Sequence, residues 1–268
     1  MGKPGAWLLA GAAALSALLA VTLLIGLPDR SAPAPVSSQS APPKPHPARP
    51  RASADPVGRR RLHLGRSVDG RPINAVELGD FDNERSTLVV GVIHGNEPAG
   101  IPIAARLSSL RPPRESLLFV VKDLNPDGVA AVTRQNAHGV DLNRNFPWRW
   151  RPLGSKGDLE YAGPRPLSEP ESRIARALIL RERPAITIWF HQPLGLVDES
   201  GGSVGVERRF AKLTGLPLRR LPRYPGSAAG WQNHRLRRST AFVVELPPGT
   251  LSAASVRRFA AAVMKLAS

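Results

Sequence analysis

The fold is decided by the stretch Ser86-Thr87-Leu88-Val89-Val90-Gly91-Val92-Ile93-His94-Gly95-Asn96-Glu97. Its first eight residues are mostly apolar and β-branched and do not alternate with polar residues, which predicts a strand covered on both faces. The next segment, Glu97-Pro98-Ala99-Gly100, has proline at an early helical position and predicts the start of a helix. The chain therefore turns sharply between His94 and Glu97, directly after a buried strand.

His94 and Glu97 are two good zinc ligands at a place where α/β folds put binding groups. A catalytic zinc takes three protein ligands and keeps one position for water, so a third ligand has to come from elsewhere in the chain. His191 is the candidate, because it follows the apolar segment 185–190, which predicts another strand. The pair alone does not establish a metal site, since a bare His-x-x-Glu occurs by chance in many chains.

Length and composition indicate one globular domain without disulfides. The chain has 268 residues, 42% of them hydrophobic, and no cysteine, so a lipid-bearing cysteine anchor is also excluded. A domain of about 200 residues buries roughly 70% of the surface of its unfolded chain. The net charge is +16, and residues 58–268 contribute 32 basic and 19 acidic side chains to it.

The basic side chains do not form the pattern of a nucleic-acid-binding protein. The arginines are scattered, without a basic ribbon interleaved with aromatic residues and without a helix-turn-helix signature. We therefore expect no nucleic-acid partner. Anionic cell-wall polymers and phospholipid headgroups are the counter-charges that we expect instead.

Residues 1–27 are predicted to be an N-terminal signal anchor that crosses a membrane. Residues 6–27 are 22 residues without a charge, and a helix of that length spans about 33 Å, enough for a hydrocarbon core of about 30 Å. A cleaved signal peptide is the alternative, although Pro35 after Ala32-Pro33-Ala34 disfavours a cut there. With Lys3 on the cytoplasmic side, we expect a single-pass protein whose remaining chain is extracytoplasmic.

Residues 28–57 are predicted to be a disordered, proline-rich spacer that holds the following domain away from the membrane. They contain nine prolines among serine, alanine and basic residues, with almost no large side chain to bury. Residues 58–268 are then the catalytic domain.

The sequence of residues 58–268 predicts a domain of strands and helices that largely alternate. Asp69-Gly70 between two apolar segments predicts a hairpin of two edge-type strands, 60–65 and 72–78. Helices are predicted at 98–110, 168–183, 206–213 and 251–266, and further strands at 116–123, 185–190 and 240–246. This order predicts a single α/β domain with a mixed, mostly parallel central sheet and helices on both of its faces.

Six short segments along residues 60–266 together form an ordered set of motifs. They are 65–73, 94–97, 125–128, 139–146, 191–193 and 244–246, and the fourth reads Gly139-Val140-Asp141-Leu142-Asn143-Arg144-Asn145-Phe146. In this order the chain resembles the zinc metallocarboxypeptidases, and within them the bacterial murein tripeptide amidase branch. The resemblance implies one Zn²⁺ per chain, held by His94, Glu97 and His191.

The resemblance also implies roles for five further residues. Glu245 would be the general base, with a structural salt bridge as the alternative reading. Arg134 would stabilise the developing oxyanion, unless it is simply an exposed arginine. Asn143 and Arg144 would bind the free carboxylate of the substrate, and Tyr224 would close over it.

The function that we expect from these residues is peptide hydrolysis outside the cytoplasm. A membrane-anchored or secreted zinc metallocarboxypeptidase or amidase would cut peptides with a free C-terminal carboxylate, derived from peptidoglycan and of the γ-D-Glu–diaminopimelate type. A catalytically silent cell-wall-binding module and a general protein carboxypeptidase are the alternatives. Ala229, where the digestive enzymes of the family have a specificity residue, offers neither an acid nor bulk, so the preference of the side-chain pocket stays open.

Overall fold

A mixed eight-stranded sheet is the centre of the computed structural model, which describes residues 56–268. The strands are β1 (Val57–Arg66), β2 (Pro72–Asp80), β3 (Ser86–Val90), β4 (Leu117–Val121), β5 (Ile186–His191), β6 (Leu196–Asp198), β7 (Leu218–Arg219) and β8 (Thr240–Glu245). Their order across the sheet is β1-β2-β4-β3-β5-β8-β6-β7. The pairs β4–β3, β3–β5, β5–β8 and β6–β7 are parallel, and β1–β2, β2–β4 and β8–β6 are antiparallel. The predicted α/β fold with a mixed central sheet is confirmed.

Helices cover both faces of this sheet. They are α1 (Gly100–Ser109), α2 (Pro126–Ala131), α3 (Pro170–Glu182), α4 (Val204–Thr214), α5 (Ala228–Arg235) and α6 (Ala253–Ala267), with a 3-10 turn at Leu142–Arg144. Helices α1, α4 and α6 pack into one apolar core, and α3 and α5 pack into another. Val89 belongs to the first core and its neighbours Leu88 and Val90 to the second. The absence of alternation in this strand therefore reflects burial of both faces.

Two strand predictions need correction. The strand predicted to continue to residue 93 ends at Val90. At the next residue, Gly91, the backbone passes close to the segment after β4, since a Cβ there would lie 2.5 Å from the Lys122 carbonyl oxygen. Strand β2 was predicted to be an edge strand, but it pairs with both β1 and β4, and its Ile73, Ala75 and Leu78 are buried. Among the strands of residues 56–268, only β1 and β7 form the edges of the sheet.

The predicted anchor at 1–27 lies outside the described residues, as does the spacer up to residue 55. Strand β1 already begins at Val57, one residue before the predicted start of the catalytic domain. Within residues 56–268, no helix has both the length and the apolar composition needed to cross a membrane.

The strand order creates a binding crevice beside β3. From β3 the chain passes through α1 to β4, which pairs with one edge of β3. It later passes through α3 to β5, which pairs with the other edge of β3. Helices α1 and α3 pack on opposite faces of the sheet. Where the loops after two neighbouring parallel strands run in opposite directions, a crevice forms at the carboxyl ends of those strands. Open α/β sheets bind ligands in this crevice.

Candidate metal centre and substrate cleft

His94, Glu97 and His191 meet in this crevice. His94 and Glu97 lie in the turn that follows β3, and His191 is the last residue of β5. One ligand atom from each lies within 4.8 Å of the others, and all three residues are buried. Two imidazole nitrogens and one carboxylate oxygen are a donor set that zinc favours in catalytic sites. The predicted third ligand is therefore in place, and the residues present fit a zinc ion.

The Glu97 carboxylate links the two imidazoles. Its Oε1 lies 3.0 Å from Nδ1 of His94 and its Oε2 lies 3.0 Å from Nδ1 of His191. Burial acts to raise the pKa of Glu97, but the hydrogen bonds and charges of His191 and His94 outweigh it and hold the pKa far below its ordinary value. Glu97 is thus ionised, which is the state that binds a metal.

Asp141 fixes the orientation of His94, a role that the sequence did not reveal. Its Oδ1 lies 2.9 Å from Nε2 of His94, so Nδ1 is the nitrogen left for the centre, and its Oδ2 accepts a 2.9 Å hydrogen bond from Nε of Arg134. Burial acts to raise the pKa of Asp141, yet the charge and hydrogen bond of His94, with the charges of Arg134 and Arg144, lower it. A carboxylate behind a ligating histidine holds the ring and increases its basicity.

Arg134 lies directly beside the metal-ligand set. Besides its bond to Asp141, it donates a 3.0 Å hydrogen bond from Nη1 to Oε1 of Glu97. Its side chain is only 21% exposed, and two buried carboxylates hold it at the wall of the crevice. Arg134 is therefore not an ordinary surface arginine.

Glu245 is the last residue of β8 and the register partner of His191 on the adjacent β5. Its Oε2 is buried and has no hydrogen-bond partner among residues 56–268. Burial raises the pKa of Glu245, and the charge of His191 only partly opposes this. The absence of a salt-bridge partner within the described chain argues against the purely structural alternative for this residue.

Arg144 ends the 3-10 turn and is 3% exposed. Its Nη2 donates a 2.6 Å hydrogen bond to Oε1 of Glu160, and the ring centroid of Tyr224 lies 4.0 Å from its Cζ atom. The neighbouring Asn143 is held by a 2.9 Å hydrogen bond from the Ala228 backbone N–H to its Oδ1. The structure thus brings together Asn143 and Arg144, expected to bind the substrate carboxylate, and Tyr224, expected to close over it. Glu160 is a partner of Arg144 that the sequence did not reveal.

Gly226 permits the approach of the Tyr224 segment to Arg144. Its φ of +69° is in the left-handed region, and a Cβ at this position would lie 2.0 Å from the Arg144 carbonyl oxygen. Only glycine satisfies both conditions.

One cleft of about 530 Å³ joins the metal-ligand set to Glu245 and Arg144. Its lining includes the eight predicted site residues: His94, Glu97, Arg134, Asn143, Arg144, His191, Tyr224 and Glu245. Ala229, at the predicted specificity position, also lines it, together with Trp148 and His234, which stack on each other with 5.3 Å between ring centroids. A set of metal-ligating side chains, a buried carboxyl and a buried arginine in one cleft define a metal-dependent hydrolase of peptides or amides.

Comparisons with known proteins agree with this geometry. Residues 114–193 match the family described as zinc carboxypeptidase. Murein peptide amidase A of Escherichia coli (strain K12) is 32% identical over 197 residues, which are 68% of this chain and 80% of that protein. The chain belongs to the zinc carboxypeptidase family and is a zinc-dependent metallo-hydrolase.

Two further relatives are also murein peptide amidases by name. Murein peptide amidase A of Vibrio campbellii is 34% identical over 199 residues, covering 69% of this chain and 78% of the relative. The crystal structure of a murein-tripeptide amidase from Escherichia coli O157 superposes with a TM-score of 0.63 at 31% identity, covering 82% of this chain and 97% of the other.

Proposed function

We propose that the protein hydrolyses peptides that end in a free carboxylate, and that its natural substrates are peptidoglycan-derived peptides of the γ-D-Glu–diaminopimelate type. The observation that carries this proposal is that the zinc-ligand set, Glu245 and Arg144 line the same cleft. The likeness to proteins named murein peptide amidases supports a wall peptide over an ordinary protein chain.

His94, Glu97 and His191 would hold one Zn²⁺ per chain. When bound, zinc supplies a Lewis acid that polarises a carbonyl and lowers the pKa of water toward ~7. Asp141 keeps the His94 ring in the orientation that directs Nδ1 to the centre, and the ionised Glu97 completes the set.

Glu245 would take a proton from the attacking water and give it to the leaving amine. A carboxyl whose pKa is raised by burial lies closer to the working pH, so it can serve as both acceptor and donor. Arg134 would donate a hydrogen bond to the developing oxyanion. Because Glu97 and Asp141 already fix its guanidinium, little reorganisation is needed when that charge forms.

Arg144 and Asn143 would bind the C-terminal carboxylate of the substrate. A guanidinium offers a planar fork that matches the two oxygens of a carboxylate. Glu160 engages only Nη2 of Arg144, and Nε is buried without a hydrogen-bond partner among residues 56–268. Tyr224, which is 43% exposed and packs on the guanidinium, would cover the bound end of the peptide.

The enzyme would act on the extracytoplasmic side of the cell membrane. The charge-free segment 6–27 supports a single membrane span, and the proline-rich residues 28–57 support a spacer between it and the domain. Secretion after signal cleavage is the alternative. In either case the basic domain would face anionic wall polymers, which its positive charge attracts.

The experiment uses the full-length chain in detergent with two peptides, L-Ala-γ-D-Glu-diaminopimelate and the same peptide with a C-terminal amide. We expect hydrolysis of the free acid, loss of activity with a chelator and recovery with zinc. Elemental analysis should find about one zinc per chain, and His94→Ala or His191→Ala should lose it. Cleavage of ordinary L-peptides without cleavage of the wall peptide would instead indicate a general carboxypeptidase. Failure of the zinc-loaded protein to cleave either kind of peptide would indicate a silent wall-binding module.

A further inference from the structure

Five arginines line the cleft, and they differ in whether a carboxylate neutralises them. They are Arg134, Arg144, Arg149, Arg220 and Arg223. Arg134 is paired with Glu97 and Asp141, Arg144 with Glu160, and Arg223 with Asp198, each through at least one contact of 3.0 Å or less. Arg149 and Arg220 have no carboxylate partner among residues 56–268. The cleft therefore holds two positive charges that the described part of the protein does not balance.

Arg220 is presented to the cleft by a fixed backbone. On one side of it, the Arg219 carbonyl accepts a 2.8 Å hydrogen bond from the Glu199 N–H. On the other side, the Leu221 N–H donates a 2.8 Å hydrogen bond to Oδ1 of the buried Asp198. Oδ2 of Asp198 is already engaged by Arg223 at 2.8 Å, so this acid does not offset Arg220.

Arg149 is the second of these arginines in the cleft lining. Its φ is +54°, a left-handed conformation that is uncommon for residues other than glycine and is retained where the surroundings require it. Its Cζ atom lies 4.5 Å from the ring centroid of Trp148, whose ring stacks on His234. The carbonyl of Trp148 also accepts a 3.1 Å hydrogen bond from the Gly226 N–H, so the support beneath Arg149 is itself anchored.

We propose that Arg149 and Arg220 form a second carboxylate site, separate from Arg144, that selects substrates whose C-terminal residue carries an acidic group on its side chain. This inference rests on the proposed function, since Arg144 is taken to hold the main-chain carboxylate. Guanidinium groups bind carboxylates by charge-assisted hydrogen bonds, and cleft walls concentrate their field. Ala229 and Gly230, neither of which has a long side chain, line the same cleft. Diaminopimelate, whose side chain ends in a carboxylate beside an amine, meets this requirement.

The test compares two peptides that differ by one carboxylate. Lysine is diaminopimelate without its side-chain carboxylate, so L-Ala-γ-D-Glu-diaminopimelate and L-Ala-γ-D-Glu-Lys form a matched pair. For the full-length, zinc-loaded protein we expect kcat/KM to favour the diaminopimelate peptide by roughly tenfold or more, the usual worth of a charge-assisted hydrogen bond. In the Arg149→Gln, Arg220→Gln double variant this ratio should fall to within about threefold of unity.

Arg235→Gln is the matched control, because Arg235 is an exposed arginine at the end of α5 that does not line the cleft. It should keep the wild-type ratio. Circular dichroism of each variant establishes whether it is folded. If the double variant is not folded, the kcat/KM ratio is measured for the Arg149→Gln and Arg220→Gln single variants instead. Rising salt should reduce the preference of the wild-type protein, since Arg149 and Arg220 are exposed and salt screens exposed charges.

Each outcome decides between the two proposals. Zinc-dependent cleavage of both peptides at equal kcat/KM overturns the second carboxylate site and leaves the proposed function standing. A wild-type preference that survives in the double variant overturns the assignment to Arg149 and Arg220. If neither peptide is cleaved, the proposed function fails, and calorimetric titration of both peptides then tests the second carboxylate site alone. Tighter binding of the diaminopimelate peptide that is lost in the double variant supports the site. Equal dissociation constants for the two peptides overturn it.

Discussion

His191 and Glu245 are register partners at the carboxyl ends of the parallel strands β5 and β8. The proposed third metal ligand and the proposed general base therefore lie side by side on adjacent strands. The same ladder pairs the buried Ile188 with Phe242, so slipping the register to separate the two functional residues would also move core side chains. The relationship thus belongs to the rigid part of the fold, which suits groups that have to act together on one substrate.

Asp141→Asn tests the support behind the metal centre. The variant keeps the size of the side chain but removes the charge that orients His94 and holds Arg134. We expect zinc affinity to fall by about 10–100-fold, the usual effect of losing such a partner. Competition with a chromogenic chelator measures the affinity, and Asp82→Asn, at an exposed position, is the control. An affinity equal to that of the wild type would show that Asp141 does not support His94.

The buried Glu207, which is neither a proposed metal ligand nor the proposed base, predicts a dependence of stability on pH. It is fully buried in α4, its Oε1 accepts a 3.0 Å hydrogen bond from the Ser200 N–H, and its Oε2 has no partner among residues 56–268. Burial raises the pKa of Glu207 to about 7 from its ordinary 4.5. The unfolded chain releases this proton near pH 4.5 and the folded chain only near pH 7, so stability falls as pH rises between the two values.

Glu207→Gln should remove that part of the pH dependence, because glutamine does not titrate. Between pH 5 and 7 the wild type should lose stability relative to the variant by at most about 1.4 kcal/mol per pH unit. Denaturant unfolding at a series of pH values measures the difference. Glu84→Gln, at an exposed position, should follow the wild type. Parallel curves for the wild type and Glu207→Gln would show that Glu207 titrates alike in the folded and unfolded states.

Local patterns in the sequence were sufficient for most of the sheet and for the turns that hold the metal ligands. A run such as Leu88–Val90, buried on both faces, differs in composition from its surroundings, and a histidine directly after such a run is visible without any knowledge of contacts. The short elements β6, β7, α2 and α5 span two to eight residues, too few for a periodic signal, and were missed.

The supporting partners of the site were not predictable in the same way. Asp141 meets His94 across 47 residues of sequence, and Glu160 meets Arg144 across 16, through contacts that only the folded chain creates. Asp141 lies inside the motif of residues 139–146, but nothing in the local sequence distinguishes it from a residue that caps a turn. That Arg149 and Arg220 have no carboxylate partner within the described part of the chain is likewise a property of the fold, since their neighbours in sequence do not show which arginines will contact a carboxylate.

For the N-terminal segment we expect the full-length protein to sediment with membranes and to resist extraction by high salt. The charge-free residues 6–27 would hold it there by burial in the hydrocarbon core, which salt does not weaken, whereas salt screens attraction through the basic domain. Fractionation before and after a high-salt wash measures this, with a chain lacking residues 1–27 as the control. Release of the intact full-length chain by salt alone would contradict a membrane span.

The central claim is that Glu245 is the general base of a zinc hydrolase, and kcat of Glu245→Gln on L-Ala-γ-D-Glu-diaminopimelate tests it most directly. Glutamine keeps nearly the same shape, and Glu245 is not among the metal ligands, so zinc content and stability should stay at the wild-type level. Turnover should fall by about 10²–10⁴-fold, the usual contribution of a positioned acid or base. A zinc-loaded, folded variant whose kcat stays within a few-fold of the wild type would contradict the claim and show that another group moves the proton.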